Sequence, residues 1–208
     1  MKIILAVMIA AFCSLFPTLV WAELSYDRVG IEYQKQSTSG DPDISGFGLG
    51  ISKGVSNNVF FGGDFMNASQ SSGTASGDIK YNGYDIYAGF HAPIQANLDF
   101  LVTGGFEHSS AELAGYTADG SGYALSGGIR AEITPQVETM LLAHYSSTDV
   151  SAFGTTTTVS DTGVSLDFGF KVTPQVQIVA GIGSFNAKPE NAASYSSTTM
   201  AIGLYYYY

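Results

Sequence analysis

The side chains of this chain that could do chemistry are mostly carboxylates. The sequence of 208 residues has 18 Asp and Glu against 8 Lys and Arg, a formal net charge of −10. Nucleic-acid binding needs clustered Lys and Arg, so this excess of acid argues against that function. The sequence contains no metal-ligand spacing, nucleophile elbow or phosphate-binding loop, and it predicts no metal and no other cofactor.

The charged residues are spaced so that extended strands would place them on one face. Glu32, Asp85 and Asp167 each stand between two large apolar residues. Successive side chains of a β-strand point to opposite faces, so the charged and the apolar residues separate. The residues predicted to line the lumen of a closed sheet are Arg28, Glu32, Asp64, Asp85, Asp99, Glu107, Arg130, Glu132, Glu138, His144, Asp167 and Lys171.

The turns that would connect these strands recur at a nearly constant spacing of roughly 39 residues. Short turns are predicted at residues 56–58, 93–97, 134–136 and 173–175, and the last two share the letters T-P-Q-V. Proline presets the turn dihedral and cannot donate to a strand ladder, so it marks the strand ends. Longer polar stretches, predicted as loops, alternate with these turns at residues 37–43, 70–78, 110–121, 148–160 and 186–194. Four turns and five loops predict ten strands.

Residues 1–22 have the features of a secretory signal peptide. Lys2 precedes an apolar run, Pro17 breaks that run, and the small residue Ala22 stands at the expected cleavage position. An uncleaved membrane helix is the alternative, but the proline and the small residue favour cleavage. We therefore expect a mature chain of residues 23–208 that forms a single domain.

The last strand of the chain indicates the class of β-protein. Its alternate residues, counted back from the end, are all large and apolar: Tyr208, Tyr206, Leu204, Ile202 and Met200. A final strand with one unbroken apolar face and a terminal aromatic residue resembles that of small bacterial outer-membrane β-barrel proteins of the opacity and small-porin type. The resemblance implies that these five residues are the insertion signal read by the barrel insertion machinery, and that the last strand closes the barrel against the first.

The pattern and the resemblance together predict an all-β fold, an antiparallel up-and-down transmembrane β-barrel of ten strands, with eight as the alternative. Strands of about ten residues, tilted by about 45°, cover roughly 23 Å, which matches the apolar band of a bilayer. A soluble sandwich or lipocalin-like barrel is disfavoured, because charge is too sparse to solvate the polar face of ten strands. The predicted location is the bacterial outer membrane.

Two interpretations of the polar face remain open. Cross-strand ion pairs, such as Arg130 with Asp99 and Lys171 with Glu138 or Asp167, could simply fill and rigidify the interior. Alternatively, the surplus of acid could give a narrow pore that prefers cations, since ten strands lie between filled barrels of eight strands and aqueous channels of 16.

An enzyme is a remote alternative. His144-Tyr145-Ser146 resembles the H-x-S letters of outer-membrane lipid A deacylases, in which His144 and Ser146 would be catalytic. That family also has an Asn directly after the serine and a Glu further on, where this chain has Ser147 and Thr158. We therefore expect a non-enzymatic protein.

The predicted loops offer a further alternative, surface recognition or adhesion. They carry the acids Asp41, Asp43, Asp78, Glu112, Asp119, Asp149 and Asp161. Acidic loops could contact a partner or, through divalent cations, the phosphates of lipopolysaccharide. The other expected partners are outer-membrane lipids, and the barrel is expected to be a monomer.

Overall fold

The computed structural model describes residues 25–38, 42–70, 78–113, 116–190 and 192–208. The predicted signal peptide therefore lies outside the described residues. The ten strands are β1 (Arg28–Thr38), β2 (Ile44–Gly54), β3 (Val59–Gln70), β4 (Ile79–Gln95), β5 (Leu98–Leu113), β6 (Tyr116–Thr134), β7 (Val137–Ala152), β8 (Thr155–Lys171), β9 (Val176–Pro189) and β10 (Tyr195–Tyr207).

Each strand pairs antiparallel with its sequence neighbours, and β10 pairs with β1 to close the barrel. The closing ladder runs from the pair Arg28 and Tyr207 to the pair Thr38 and Ser197. Each strand is thereby hydrogen-bonded to a neighbour along both of its edges, as a β-structure in lipid requires. The predicted fold class and the prediction of ten strands are confirmed.

The outer face of the barrel is apolar and exposed. Phe47 and Ile86 each expose 60% of their surface and Phe168 exposes 54%, although all three lie in the middle of strands. A soluble protein would bury such residues, whereas lipid accommodates them. Seven tyrosines are exposed on the same face and form an aromatic girdle. Three of them lie at the ends of β10 or directly after it, Tyr195, Tyr206 and Tyr208, and four lie in the middle part of their strands, Tyr33, Tyr84, Tyr123 and Tyr145.

The strands are longer than the predicted ten residues, and most of two predicted loops is strand. The expected loop at 110–121 is occupied by the ends of β5 and β6, and the expected loop at 148–160 is occupied by the ends of β7 and β8. The second of these hairpins closes at Phe153 and Gly154. The Ser, Thr and Gly residues that suggested loops are compatible with an extended hairpin, and Thr in particular favours strands.

Within the described ranges, no helix is long and apolar enough to cross a membrane.

Candidate functional site

The lumen contains two layers of polar side chains. We call the end of the barrel that carries the short turns at 55–58, 96–97, 135–136 and 172–175 the turn end, and the opposite end the loop end. The layer at the turn end, here the closing layer, comprises Tyr26, Phe60, His91, Asp99, Arg130, Glu132, Glu138, Lys171, Gln177 and Tyr207. The next layer toward the loop end, here the central chamber, is lined by Arg28, Glu32, Asp64, Asp85, Glu107, His144, Asp161 and Asp167. The residues predicted to line the lumen therefore divide between the two layers.

Arg130 is the centre of the closing layer. Its Nε donates to Glu138 Oε1 at 2.8 Å and its Nη2 donates to Glu138 Oε2 at 2.9 Å, so the pair is bidentate. The exposed fraction of Arg130 is 2% and that of Glu138 is 5%. A buried pair of this geometry is held by charge-assisted hydrogen bonds that fix both side chains.

The predicted pair of Arg130 with Asp99 was wrong. The two residues are opposite each other on β5 and β6, but Asp99 Oδ2 contacts His91 Nδ1 at 2.9 Å and accepts a hydrogen bond from Tyr26 at 3.1 Å. Each side chain instead contacts a residue of the strand on its other side. Arg130 contacts Glu138 on β7, and Asp99 contacts His91 on β4.

The predicted partners of Lys171 were also wrong. Its Nζ donates to Glu132 Oε2 at 2.6 Å, across the intervening strand β7. Glu138 is already occupied by Arg130, and Asp167 lies in the central chamber. The long lysine side chain therefore reaches the remaining buried acid of the closing layer, Glu132, which is 2% exposed.

Three members of the site were missed by sequence reasoning. Tyr26 lies before β1, where no alternation marks it, and its ring enters the lumen. Gln177 is 1% exposed and accepts a hydrogen bond from Tyr207 at 2.7 Å. Asp161 was assigned to a loop, but it lies in β8 and lines the central chamber. The alternation of β8 continues to Asp161, so extending the period-two pattern toward the loop end could have found this residue.

The central chamber is strongly acidic. Its larger cavity has a volume of about 400 Å³ and an adjoining one has about 330 Å³. Six carboxylates line these cavities, and none of them belongs to an ion pair within the part of the chain that the structure describes. The Arg28 guanidinium lies in the chamber over the Tyr205 ring at 4.9 Å, and Arg130, which is paired with Glu138, reaches the same cavity from the closing layer. Uncompensated carboxylates give the chamber a field that favours cations.

His144 is hydrogen-bonded to two serines in this chamber. Its Nδ1 lies 2.9 Å from Ser126 Oγ and its Nε2 lies 2.8 Å from Ser165 Oγ. Ser146, the serine of the H-x-S letters, lines the same cavity. The described residues contain no group of three or more His, Cys, Asp or Glu side chains that could hold a metal ion.

Two aspartates outside the strands, Asp27 and Asp43, have lowered pKa values. The pKa of Asp27 is lowered by hydrogen bonds from the Lys53 ammonium and from the Gly54 backbone N–H. The pKa of Asp43 is lowered by hydrogen bonds from Lys35 and Ser37. Each carboxylate therefore stays charged at a lower pH than an isolated Asp.

The five residues of the predicted insertion signal point away from the lumen. Each exposes about half of its surface on the outer face, four of them in β10 and Tyr208 directly after it: Met200, Ile202, Leu204, Tyr206 and Tyr208. Their strand is the one that completes the barrel by pairing with β1.

Comparison with known proteins supports the fold. A scan of protein-family models and a search of curated proteins both return no match. Among solved structures, the COG4313 outer membrane channel from Pseudomonas putida F1 matches with a TM-score of 0.54 and 10% identity, covering 94% of this chain and 100% of that one. The β domain of the Bordetella autotransporter BrkA matches with a TM-score of 0.51 and 16% identity, covering 88% and 99%. The chain thus has the fold of bacterial outer-membrane β-barrel proteins.

Proposed function

We propose that this protein is an integral outer-membrane β-barrel that acts as a narrow passive channel with a preference for cations. The observation that carries the proposal is the central chamber, in which six carboxylates outnumber two guanidiniums, those of Arg28 and of Arg130, the second of which is already paired with Glu138. Charge of one sign in a narrow low-dielectric passage raises the local concentration of counter-ions. No enzymatic activity is part of this proposal.

The proposal also covers the lipid contacts, the insertion and the oligomeric state of the barrel. The apolar outer face contacts outer-membrane lipids and lipopolysaccharide, and β10 provides the segment that the insertion machinery reads. The proposed oligomeric state is a monomer, which the pairing of β1 with β10 within one chain supports.

Ion selectivity in a planar bilayer tests the proposal. In a salt gradient, the reversal potential of the unmodified barrel should have the sign of a cation-preferring channel. The combined substitutions Asp64→Asn, Asp85→Asn and Asp167→Asn remove half of the chamber's carboxylates and should move the reversal potential toward zero.

The matched control removes three carboxylates from the exposed surface instead, with Asp43→Asn, Asp78→Asn and Asp119→Asn. This control should keep the selectivity of the unmodified barrel, because bath salt screens exposed charges. An anion preference, or equal selectivity in the two triple variants, would contradict the proposed role of the chamber.

A further inference from the structure

The segment Ser25–Asp27 enters the turn end of the barrel and places one aromatic ring in the closing layer. The Tyr26 ring stacks on Phe60 with centroids 4.5 Å apart and on His91 with centroids 4.2 Å apart. The Arg130 guanidinium lies 4.9 Å from the same ring, and the Tyr26 hydroxyl donates to Asp99 at 3.1 Å. The ring is therefore in contact with side chains from four different strands.

The backbone of this segment is held on both sides of Tyr26. Arg130 Nη1 donates to the Ser25 carbonyl oxygen at 2.7 Å, and Ser52 Oγ donates to the Tyr26 carbonyl oxygen at 2.6 Å. Asp27 Oδ2 accepts from Lys53 Nζ at 2.5 Å, and its Oδ1 accepts from the Gly54 N–H at 2.6 Å. These contacts position the ring over the floor of the central chamber, whose wall includes Tyr26.

The segment differs from the rest of the closing layer in one respect. Phe60, His91, Asp99 and Arg130 belong to strands, so their backbone cannot withdraw from the barrel without breaking ladder hydrogen bonds. Ser25–Asp27 precedes β1, and its withdrawal would cost side-chain contacts and a few hydrogen bonds while every strand pair stays intact. Such an element can open locally at much lower cost than the barrel itself.

We infer that Tyr26 is a removable stopper, and that withdrawal of Ser25–Asp27 opens the central chamber to the turn end. This inference rests on the proposed function, because it identifies the position at which the proposed channel is closed. In the closed state the stacked ring blocks the passage; in the open state the remaining closing-layer residues line it.

The test measures access to the chamber without requiring ion flow. Thr103 lines the chamber, and the one cysteine of the chain, Cys13, lies in the predicted signal peptide. The folded barrel with Thr103→Cys is placed in oriented vesicles whose turn ends face the bath, and a membrane-impermeant thiol reagent is added there. Adding Tyr26→Ala should raise the labelling rate by about tenfold or more, since it removes every ring contact that favours the closed state.

Three further variants make the result specific. Tyr26→Phe keeps the ring and loses only the bond to Asp99, so its labelling rate should stay near that of the parent. Asp27→Ala loosens the exposed anchor at Lys53 and Gly54 without touching the lumen, and it should give an intermediate rate. Tyr33→Ala removes a tyrosine of the outer face of β1 and should change nothing.

The outcomes separate the stopper from the proposed channel. Faster labelling of Tyr26→Ala without cation selectivity would support the stopper and contradict the proposed function. A steadily conducting, cation-preferring barrel whose labelling rate and conductance are the same in Tyr26→Ala would overturn the stopper and leave the channel. Should Tyr26→Ala fail to fold, as judged by heat-modifiable migration in gels, Asp27→Ala decides, and a rate equal to that of the parent overturns the inference.

Discussion

At the scale of single residues, Arg130 is a buried cation that is held by several partners at once. Its guanidinium contacts the Glu138 carboxylate, the Ser25 carbonyl oxygen and the Tyr26 ring, and the Tyr207 hydroxyl lies 3.4 Å from its Nη2. Removing a charged group from water is costly, and the cost is recovered only while the partners remain in place. The pair with Glu138 should therefore be more sensitive to substitution than any exposed ion pair of the barrel.

Glu138→Gln should lower the free energy of unfolding by about 3 kcal/mol, because it leaves the buried Arg130 charge without its carboxylate. Urea unfolding of the barrel in lipid vesicles measures this effect. The control Glu112→Gln changes an exposed carboxylate near the end of β5 and should cost no more than about 0.5 kcal/mol. If the two substitutions lower the free energy of unfolding equally, the buried pair contributes no more to stability than an exposed carboxylate does.

The sequence could predict which residues face the lumen, but not which of them touch. Arg130 and Glu138 were placed on the polar face by period-two alternation, and both lie in the closing layer. Asp99 was assigned the wrong partner because backbone register does not determine where long side chains point. Tyr26 could not be predicted, since a single residue outside any repeating pattern carries no periodic signal.

At the scale of elements, the short turns were predictable and the long hairpins were not. Proline and Asn at 56–58, 93–97, 134–136 and 173–175 have specific turn chemistry, and the structure turns at all four. The opposite ends were judged from composition, and residues 155–158, four consecutive threonines, were assigned to a loop. Threonine is β-branched and fits a pleated surface, so this run belongs to β8.

The hairpin formed by β7 and β8 ends in a strained turn that presents an aromatic side chain. Phe153 has a φ of 52° and Gly154 has a φ of 77°, the positive values of a two-residue hairpin turn. A positive φ is uncommon for Phe, whereas Asn adopts it readily. The Phe153 side chain is 83% exposed, and its ring lies 5.3 Å from that of Tyr116 at the start of β6.

Phe153→Asn should therefore stabilise the tip of this hairpin, by roughly 0.5 to 1 kcal/mol of local opening free energy. Hydrogen exchange of the β7 and β8 amides nearest the turn measures that energy, and exchange should slow. Gly154→Ala forces a Cβ into the same conformation and should speed exchange. If Phe153→Asn speeds exchange instead, the contact of Phe153 with Tyr116 outweighs the backbone strain.

At the scale of the whole molecule, the barrel has an apolar exterior and a charged interior, the reverse of a soluble domain. The strands are longer than a bilayer requires: β6 has 19 residues, and an apolar band of about 25 Å needs only about ten tilted residues. The surplus length extends the loop-end hairpins beyond the band. The position of the band along each strand can be tested by placing charges on the outer face.

Leu141 lies at the middle of the expected band on β7, four residues from the start of the strand at Val137 and four from Tyr145 of the aromatic girdle. Its neighbours across the ladders are the apolar residues Ile129 and Leu166. Leu141→Arg should destabilise the folded barrel in vesicles by about 2 to 4 kcal/mol, because the guanidinium must enter hydrocarbon near the bilayer midplane.

The same charge placed at the edge of the band provides the comparison. Val172 is 55% exposed and follows the last residue of β8, Lys171, so its side chain lies at the turn end outside the strand. Val172→Arg should cost only about 0 to 1 kcal/mol, since an arginine near the interface reaches water. Both variants keep the lumen unchanged, so a difference between them reports on lipid alone. If Leu141→Arg costs no more than Val172→Arg, the exterior of the barrel meets water at mid-height and the band must lie elsewhere on β7.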